Sequence, residues 1–194
     1  MSSVERKTVY FSSCGEENTD TLLSLAKKYV QGAGIKDIVV ASTTGYTGVK
    51  ASKIFKGLNV VVVTHHTGFL NPSQNELEEE NRKKIIENGA KILTATHALS
   101  GIERAIRKKF ATIMPLEIMA HTLRLFGEGT KVCVEIATMA CDAGLISENK
   151  EIIAIAGTGH GADTALVIKP ACTARFFDLE IKEIIAKPRN TPKE

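Results

Sequence analysis

Tryptophan is absent from the 194 residues, and only 3 Tyr and 7 Phe are present. A protein that stacks bases needs an aromatic platform, and one that holds phosphodiester backbones needs a basic face. The 25 Lys and Arg against 22 Asp and Glu leave a formal charge of +3, with both signs interspersed along most of the chain. No nucleic-acid partner is expected. Long apolar runs are missing too: Val60 to Val63 and Ile152 to Ala156 fall far short of the roughly 20 residues of a membrane span. No membrane partner is expected either. The opening Met-Ser-Ser-Val-Glu-Arg-Lys-Thr-Val-Tyr-Phe passes from charge straight into a β-type run, without the apolar core of an export signal. Cysteines stand only at 14, 133, 141 and 172 and form no Cys-x-x-Cys pair, so the expectation is a cytoplasmic protein with inert, reduced core thiols.

What is present is a globular balance, 43% hydrophobic and 24% charged, with length for one sizeable core and a single domain over residues 1–194. Short β-branched runs at Thr8 to Phe11, Asp37 to Ala41, Asn59 to Thr64, Lys91 to Thr94, Glu151 to Ala156 and Thr164 to Lys169 read as strands. Helical patterns separate most of them, which predicts a parallel sheet covered by helices. The runs at Ile38 to Val40 and Val60 to Val63 are continuously apolar, as in strands covered on both faces, and are predicted to be central.

Asn18 or Thr19 caps a predicted helix carrying Leu22, Leu25, Ala26 and Tyr29, stopped by Gly32 and Gly34. Gln74 to Asn88 reads as a helix whose Glu78, Glu79 and Glu80 precede Arg82, Lys83 and Lys84 by four residues, a solvated face. Pro115 opens another, and a last one runs from near Lys131 through Ala143. Cys133 and Cys141 on that helix stand about 12 Å apart and cannot bond to each other. Glu135 falls among its apolar residues, where a carboxylate needs either a loop hydrogen bond or a ligand. Gly157 to Asp163 is too short for a parallel crossover, so the last two strands are antiparallel. The closing Asp178 to Asn190 is open to lying on the body or on a second copy of the chain.

Two loops have the composition to carry chemistry. Ser42-Thr43-Thr44-Gly45-Tyr46-Thr47-Gly48 leaves a buried strand and opens a helix at Val49 to Phe55. Small hydroxyl residues and glycine let backbone N–H groups approach a phosphate, and the helix start adds free donors. Gly157-Thr158-Gly159-His160-Gly161-Ala162-Asp163 packs three glycines into one turn, more than a plain hairpin needs and suited to close backbone approach by a ligand.

With these two loops in order, the chain resembles the C-terminal α/β domain of pyruvate kinase, and most closely the stand-alone, archaeal-type proteins built from that domain alone. The strand and loop from Ile38 to Thr47, the strand Asn59 to Thr64, and Ile153 through Gly161 into Thr164 to Pro170 carry the likeness. Further matches to the stand-alone relatives lie at Glu17 to Thr19, Thr64 to Phe69, His97 to Gly101, Lys131 to Ile136 and Gly161 to Thr164. The resemblance implies a three-layer α/β/α fold of strand order 3-2-1-4-5 with strand 5 antiparallel and an extra N-terminal strand. It also implies bound flavin mononucleotide (FMN). Numbering the Asp37 strand as 1 and the Glu151 strand as 4, the order reverses between them, where an open α/β sheet binds ligands. The chain departs from its relatives at Cys14, where proline is usual, and over Ala171 to Ala174. Tyr46 replaces the cation of many pyruvate kinase effector loops, which disfavours a sugar bisphosphate.

The resulting site is Ser42, Thr43, Thr44, Gly45, Tyr46, Thr47, His65, Thr67, Gly68, Gly157, Thr158, Gly159, Gly161 and Asp163, holding a small phosphate-bearing ligand. Asp163 suits either a ribityl or ribose hydroxyl or its own turn. Consecutive His65 and His66 are expected on opposite faces, unable to share a metal. Arg104, Arg107, Lys108 and Lys109 lie on a short helix, as a solvated face or an anion funnel. The expected function is binding of a nucleotide, FMN first, with an FMN-dependent oxidoreductase as the alternative. Pyruvate kinase activity is not expected, since the barrel of about 250 residues behind it has no counterpart here.

Overall fold

A computed structural model describes residues 3–190. Its seven strands form one sheet: β1 (Val9–Phe11), β2 (Asp37–Ala41), β3 (Asn59–Thr64), β4 (Lys91–Thr94), β5 (Ile152–Ala156), β6 (Thr164–Lys169) and β7 (Glu180–Pro188). The order across it is β1-β7-β6-β5-β2-β3-β4. The predicted 3-2-1-4-5 is its β4-β3-β2-β5-β6 portion, and β6 runs antiparallel to β5 with Ala154 opposite Leu166. The helices are α1 (Thr19–Ala33), α2 (Tyr46–Ile54), α3 (Glu79–Glu87), α4 (Glu103–Phe110), α5 (Pro115–Arg124) and α6 (Glu128–Asp142).

Strand alternation divides the core into two layers. Ile38, Val40, Val60, Val62, Ile153 and Ile155 face α1, α2 and α3. Val39, Val61, Val63, Ile152, Ala154 and Ala156 face α6 and part of α5. The apolar runs of β2 and β3 thus meet helices on both sides, as expected of interior strands. Gly34 ends α1 in the left-handed conformation with its N–H on the Val30 carbonyl.

The closing segment, left open between the body and a second copy, is a seventh strand that was not among the six read from the sequence. It is β7, antiparallel to β6 and parallel to β1, so it lies on the body of the same chain. Ile181 and Ile184 are three apart, which in a regular strand puts them on opposite faces. They pair with Ile168 and Leu166, two apart, because the register shifts between them. A bulge of this kind erases the period-2 signal in the sequence. The second correction concerns α3, which starts at Glu79 and not at Gln74. Asn75 makes an Asx turn to the Leu77 N–H (2.9 Å) and donates to the His65 carbonyl (2.8 Å), so residues 74–78 stay out of the helix. A third concerns the thiols: Cys133 and Cys141 are buried, but Cys14 and Cys172 are half-exposed.

Among the described residues no helix is long and apolar enough to cross a membrane.

Candidate functional site

Both loops end up on one cavity of about 890 Å³ outside the carboxyl ends of β2 and β5, the point where the strand order reverses. Ser42, Thr43, Thr44, Tyr46 and Thr47 form one part of its wall, Gly157, Gly159 and Gly161 another, and His65 a third. Gly45, Thr67, Gly68, Thr158 and Asp163 are not on the wall, and their places are described below.

The first loop is held from behind. Ser42 donates its N–H to the Val63 carbonyl (2.9 Å), and its hydroxyl accepts from the Gly48 N–H (3.0 Å), tying the loop into the first turn of α2. The Thr44 carbonyl accepts from the Glu78 N–H (3.2 Å) and from Asn81 Nδ2 (3.1 Å). The start of the helix read as a solvated face is therefore the clamp on this loop. Gly45, at φ +98°, lies against Asn81 and Leu77, where a Cβ would sit 2.5 Å from Asn81 Cβ. Its role is close packing under the loop. Among the described residues, the amides of Thr43, Thr44, Gly45, Tyr46 and Thr47 donate to no chain acceptor. Five successive free amides, in the loop before α2 and its first turn, are a ready anion site. The Tyr46 ring carries Lys50 Nζ 4.7 Å from its centroid.

The second loop is held by Asp163, which is fully buried. Its Oδ2 accepts from the Gly15 and Thr158 N–H groups, both at 3.1 Å, and its Oδ1 from the Thr164 hydroxyl (2.8 Å). The carboxylate is taken up by its own turn, the second of the two roles open to it. The Ala162 N–H donates to Thr19 Oγ1 (2.9 Å). Three glycines exceed a hairpin's needs for two distinct reasons. A Cβ on Gly161 (φ +72°) would sit 2.5 Å from Glu16 Cα, and one on Gly157 would sit 2.7 Å from the Gly161 carbonyl oxygen. A Cβ on Gly159 (φ +76°) meets nothing within 4 Å. Gly161→Ala is therefore expected to destabilise by several kcal/mol and Gly159→Ala by about 1 kcal/mol, as read by urea unfolding.

A ring cluster forms the third wall. His65 and His66 do not diverge as strand alternation predicted, because β3 ends at Thr64. Both ring centroids lie 5.3 Å from that of His97, and Phe69 stands 4.0 Å from His65 and 5.1 Å from His97. Thr67 and Gly68 are exposed and shape the turn that delivers Phe69, with the Gly68 N–H on the Gln74 carbonyl (2.8 Å). His65 is oriented by Glu76 Oε1 at 3.0 Å. Burial pushes His97 from 6.5 down to about 4, reinforced by the charges of His65, Lys131 and His66 and opposed by Glu135. The unfolded chain thus takes up this proton first, so stability is expected to fall as pH drops from about 6.5 towards 4. His97→Gln should flatten the dependence of unfolding free energy on pH in that window.

Lys131, which falls in the Lys131 to Ile136 match but was not among the expected site residues, lines the cavity with Glu135 (Oε2 to Nζ, 2.5 Å), both side chains nearly inaccessible. Glu135 Oε1 accepts from the Leu99 N–H (2.9 Å), the loop hydrogen bond anticipated as one of its two roles. The other wall arginines are mostly neutralised: Arg107 meets Glu117 (2.7 Å) and Arg124 meets Glu128 (2.5 Å). Arg104 has no carboxylate partner among the described residues and lies over the Phe69 ring at 4.1 Å. Of the basic helix, Arg104 and Arg107 reach the cavity while Lys108 and Lys109 are solvated.

The sequence matches the family described as pyruvate kinase, alpha/beta domain, over residues 20–168, and the chain belongs to that family. It is similar to the Cryptosporidium parvum pyruvate kinase in complex with ADP, at 14% identity and a TM-score of 0.37, over 76% of this chain and 22% of that one. The chain thus spans less than a quarter of the length of that enzyme.

Proposed function

We propose that this chain binds a phosphate-bearing nucleotide, with FMN the first candidate, in the cavity outside β2 and β5. The observation that carries the reading is the set of unengaged amides of Thr43, Thr44, Tyr46 and Thr47, residues that line the same cavity as Gly157, Gly159 and Gly161. With most wall cations already paired, recognition of an anion falls to these amides and to Arg104. The ring wall of His65, Phe69 and His97 suits a flat heterocycle, and the volume is in the range of small-ligand sites, about 300–1,000 Å³. The donor set therefore fits a flavin nucleotide at both ends. Thr43, Thr44, Tyr46 and Thr47 would hold the phosphate, and His65, Phe69 and His97 would border the ring. When bound, the flavin supplies two-electron transfer; these residues orient it and exclude water.

The experiment is a titration with FMN and with riboflavin, read by flavin fluorescence. FMN should bind at least tenfold more tightly, because only FMN offers the amides a phosphate. Equal affinity, or no binding of either, contradicts the reading. An FMN-dependent oxidoreductase is the second reading, favoured by the neutral His97 beside the ring wall. It requires that bound flavin be reduced by a nicotinamide nucleotide and reoxidised by an added acceptor.

A further inference from the structure

Away from the cavity, two thiols separated by 31 residues of chain touch. Cys172 Sγ donates to Cys141 Sγ at 3.2 Å. Cys141 is buried at the end of α6, and Cys172 is half-exposed in the turn after β6. The two segments are clamped together from several sides. Glu148 Oε1 accepts from the Cys172 N–H (2.9 Å), Asp142 Oδ1 accepts from the Thr173 N–H (2.9 Å), and Arg175 pairs with Glu148. A disulfide needs its sulfurs at about 2.05 Å, so closure asks for a movement of only about 1 Å within an already fixed frame.

We infer that Cys141 and Cys172 are a redox modification site, forming a reversible disulfide by exchange with a low-molecular-weight disulfide such as oxidised glutathione. Cys172, the reachable sulfur, loses its proton and attacks one sulfur of the small disulfide, releasing one small thiol and leaving a mixed disulfide. Cys141 then attacks the Cys172 sulfur, its proton passing to the departing second thiol. Two protein thiols are oxidised and one small disulfide is reduced to two thiols. Burial and the neighbouring Cys172 hold the Cys141 thiol up at about 12, which makes Cys172 the sulfur that starts the exchange. A metal is the competing use of the pair, since Cys141, Cys172 and Glu148 bring ligand atoms within 4.8 Å of one another. Both Glu148 oxygens are engaged elsewhere, and a structural zinc site requires four ligands.

The folded protein is incubated with oxidised glutathione, then denatured, alkylated and mapped by non-reducing peptide mass spectrometry. The expected result is a cross-linked pair of peptides carrying Cys141 and Cys172, released by dithiothreitol, with alkylatable thiols falling from four to two. Cys141→Ser should instead accumulate the glutathione adduct on Cys172, and the wild-type cross-link should raise Tm by about 5–10 °C. Persistence of both thiols in alkylatable form overturns the inference. So does one equivalent of zinc that binds both thiolates and blocks the exchange.

Discussion

Glu135→Ala is expected to cost about 3–5 kcal/mol of stability, because it strands the Lys131 ammonium in a nearly inaccessible pocket and leaves the Leu99 N–H without an acceptor. A buried pair is weak evidence for net stabilisation, but breaking one side of it is expensive, since the remaining charge keeps its desolvation cost. The controls separate the two terms. Glu135→Gln keeps an acceptor for Leu99 but no charge for Lys131, and should lose less than the alanine variant. Lys131→Met combined with Glu135→Gln removes the unpaired cation and should recover all but about 1 kcal/mol. Urea unfolding measures all three together with Lys131→Met alone, and additivity of Lys131→Met and Glu135→Gln would contradict a direct pair.

Asp163→Ala should cost about 3–5 kcal/mol for a different reason. One buried carboxylate serves the amides of Gly15 and Thr158 and the Thr164 hydroxyl, and bonds to a charged acceptor are each worth about 1.5–3 kcal/mol. Asp163→Asn keeps the shape but turns a donor towards amides that need an acceptor, so it should lose a large part of the same amount. The loop from Gly157 to Ala162 loosens in either variant. Its affinity for a phosphate ester should drop at least tenfold at temperatures where the variant is still folded.

Much of this architecture is legible in the residues. The apolar runs of β2 and β3, the short Gly157 to Asp163 turn and Gly34 after α1 each have one dominant physical meaning, whereas Gly32, read with Gly34 as a stop, lies inside the helix. Burial on both faces, an antiparallel return and a helix stop follow from them. What stays hidden depends on long-range geometry. The β7 strand carries a bulge that scrambles its alternation, and residues 74–78 are kept out of the helix by Asn75, which reaches Leu77 and, ten residues back in β3's exit loop, His65. At the site, hydroxyls and glycines mark both loops, but their division of labour is invisible in one dimension. Gly45 and Gly161 look like ligand glycines, yet they are packed against Asn81 and against Glu16. Asp163 looks like a ligand acceptor, yet it holds its own turn. Lys131 sits in the Lys131 to Ile136 match, but its burial was hidden, since a lysine four residues before a glutamate on a helix is ordinarily a surface pair.

The most direct test of the shared anion site is a titration of the ¹⁵N-labelled protein with FMN, followed through its backbone amide resonances, with inorganic phosphate as the minimal probe. The amides of Thr44, Tyr46 and Thr47 should shift together with those of Gly159 and His160, along one binding curve with a single Kd. Shifts confined to one of the two loops, or saturating at different ligand concentrations, would contradict a single phosphate bound between them.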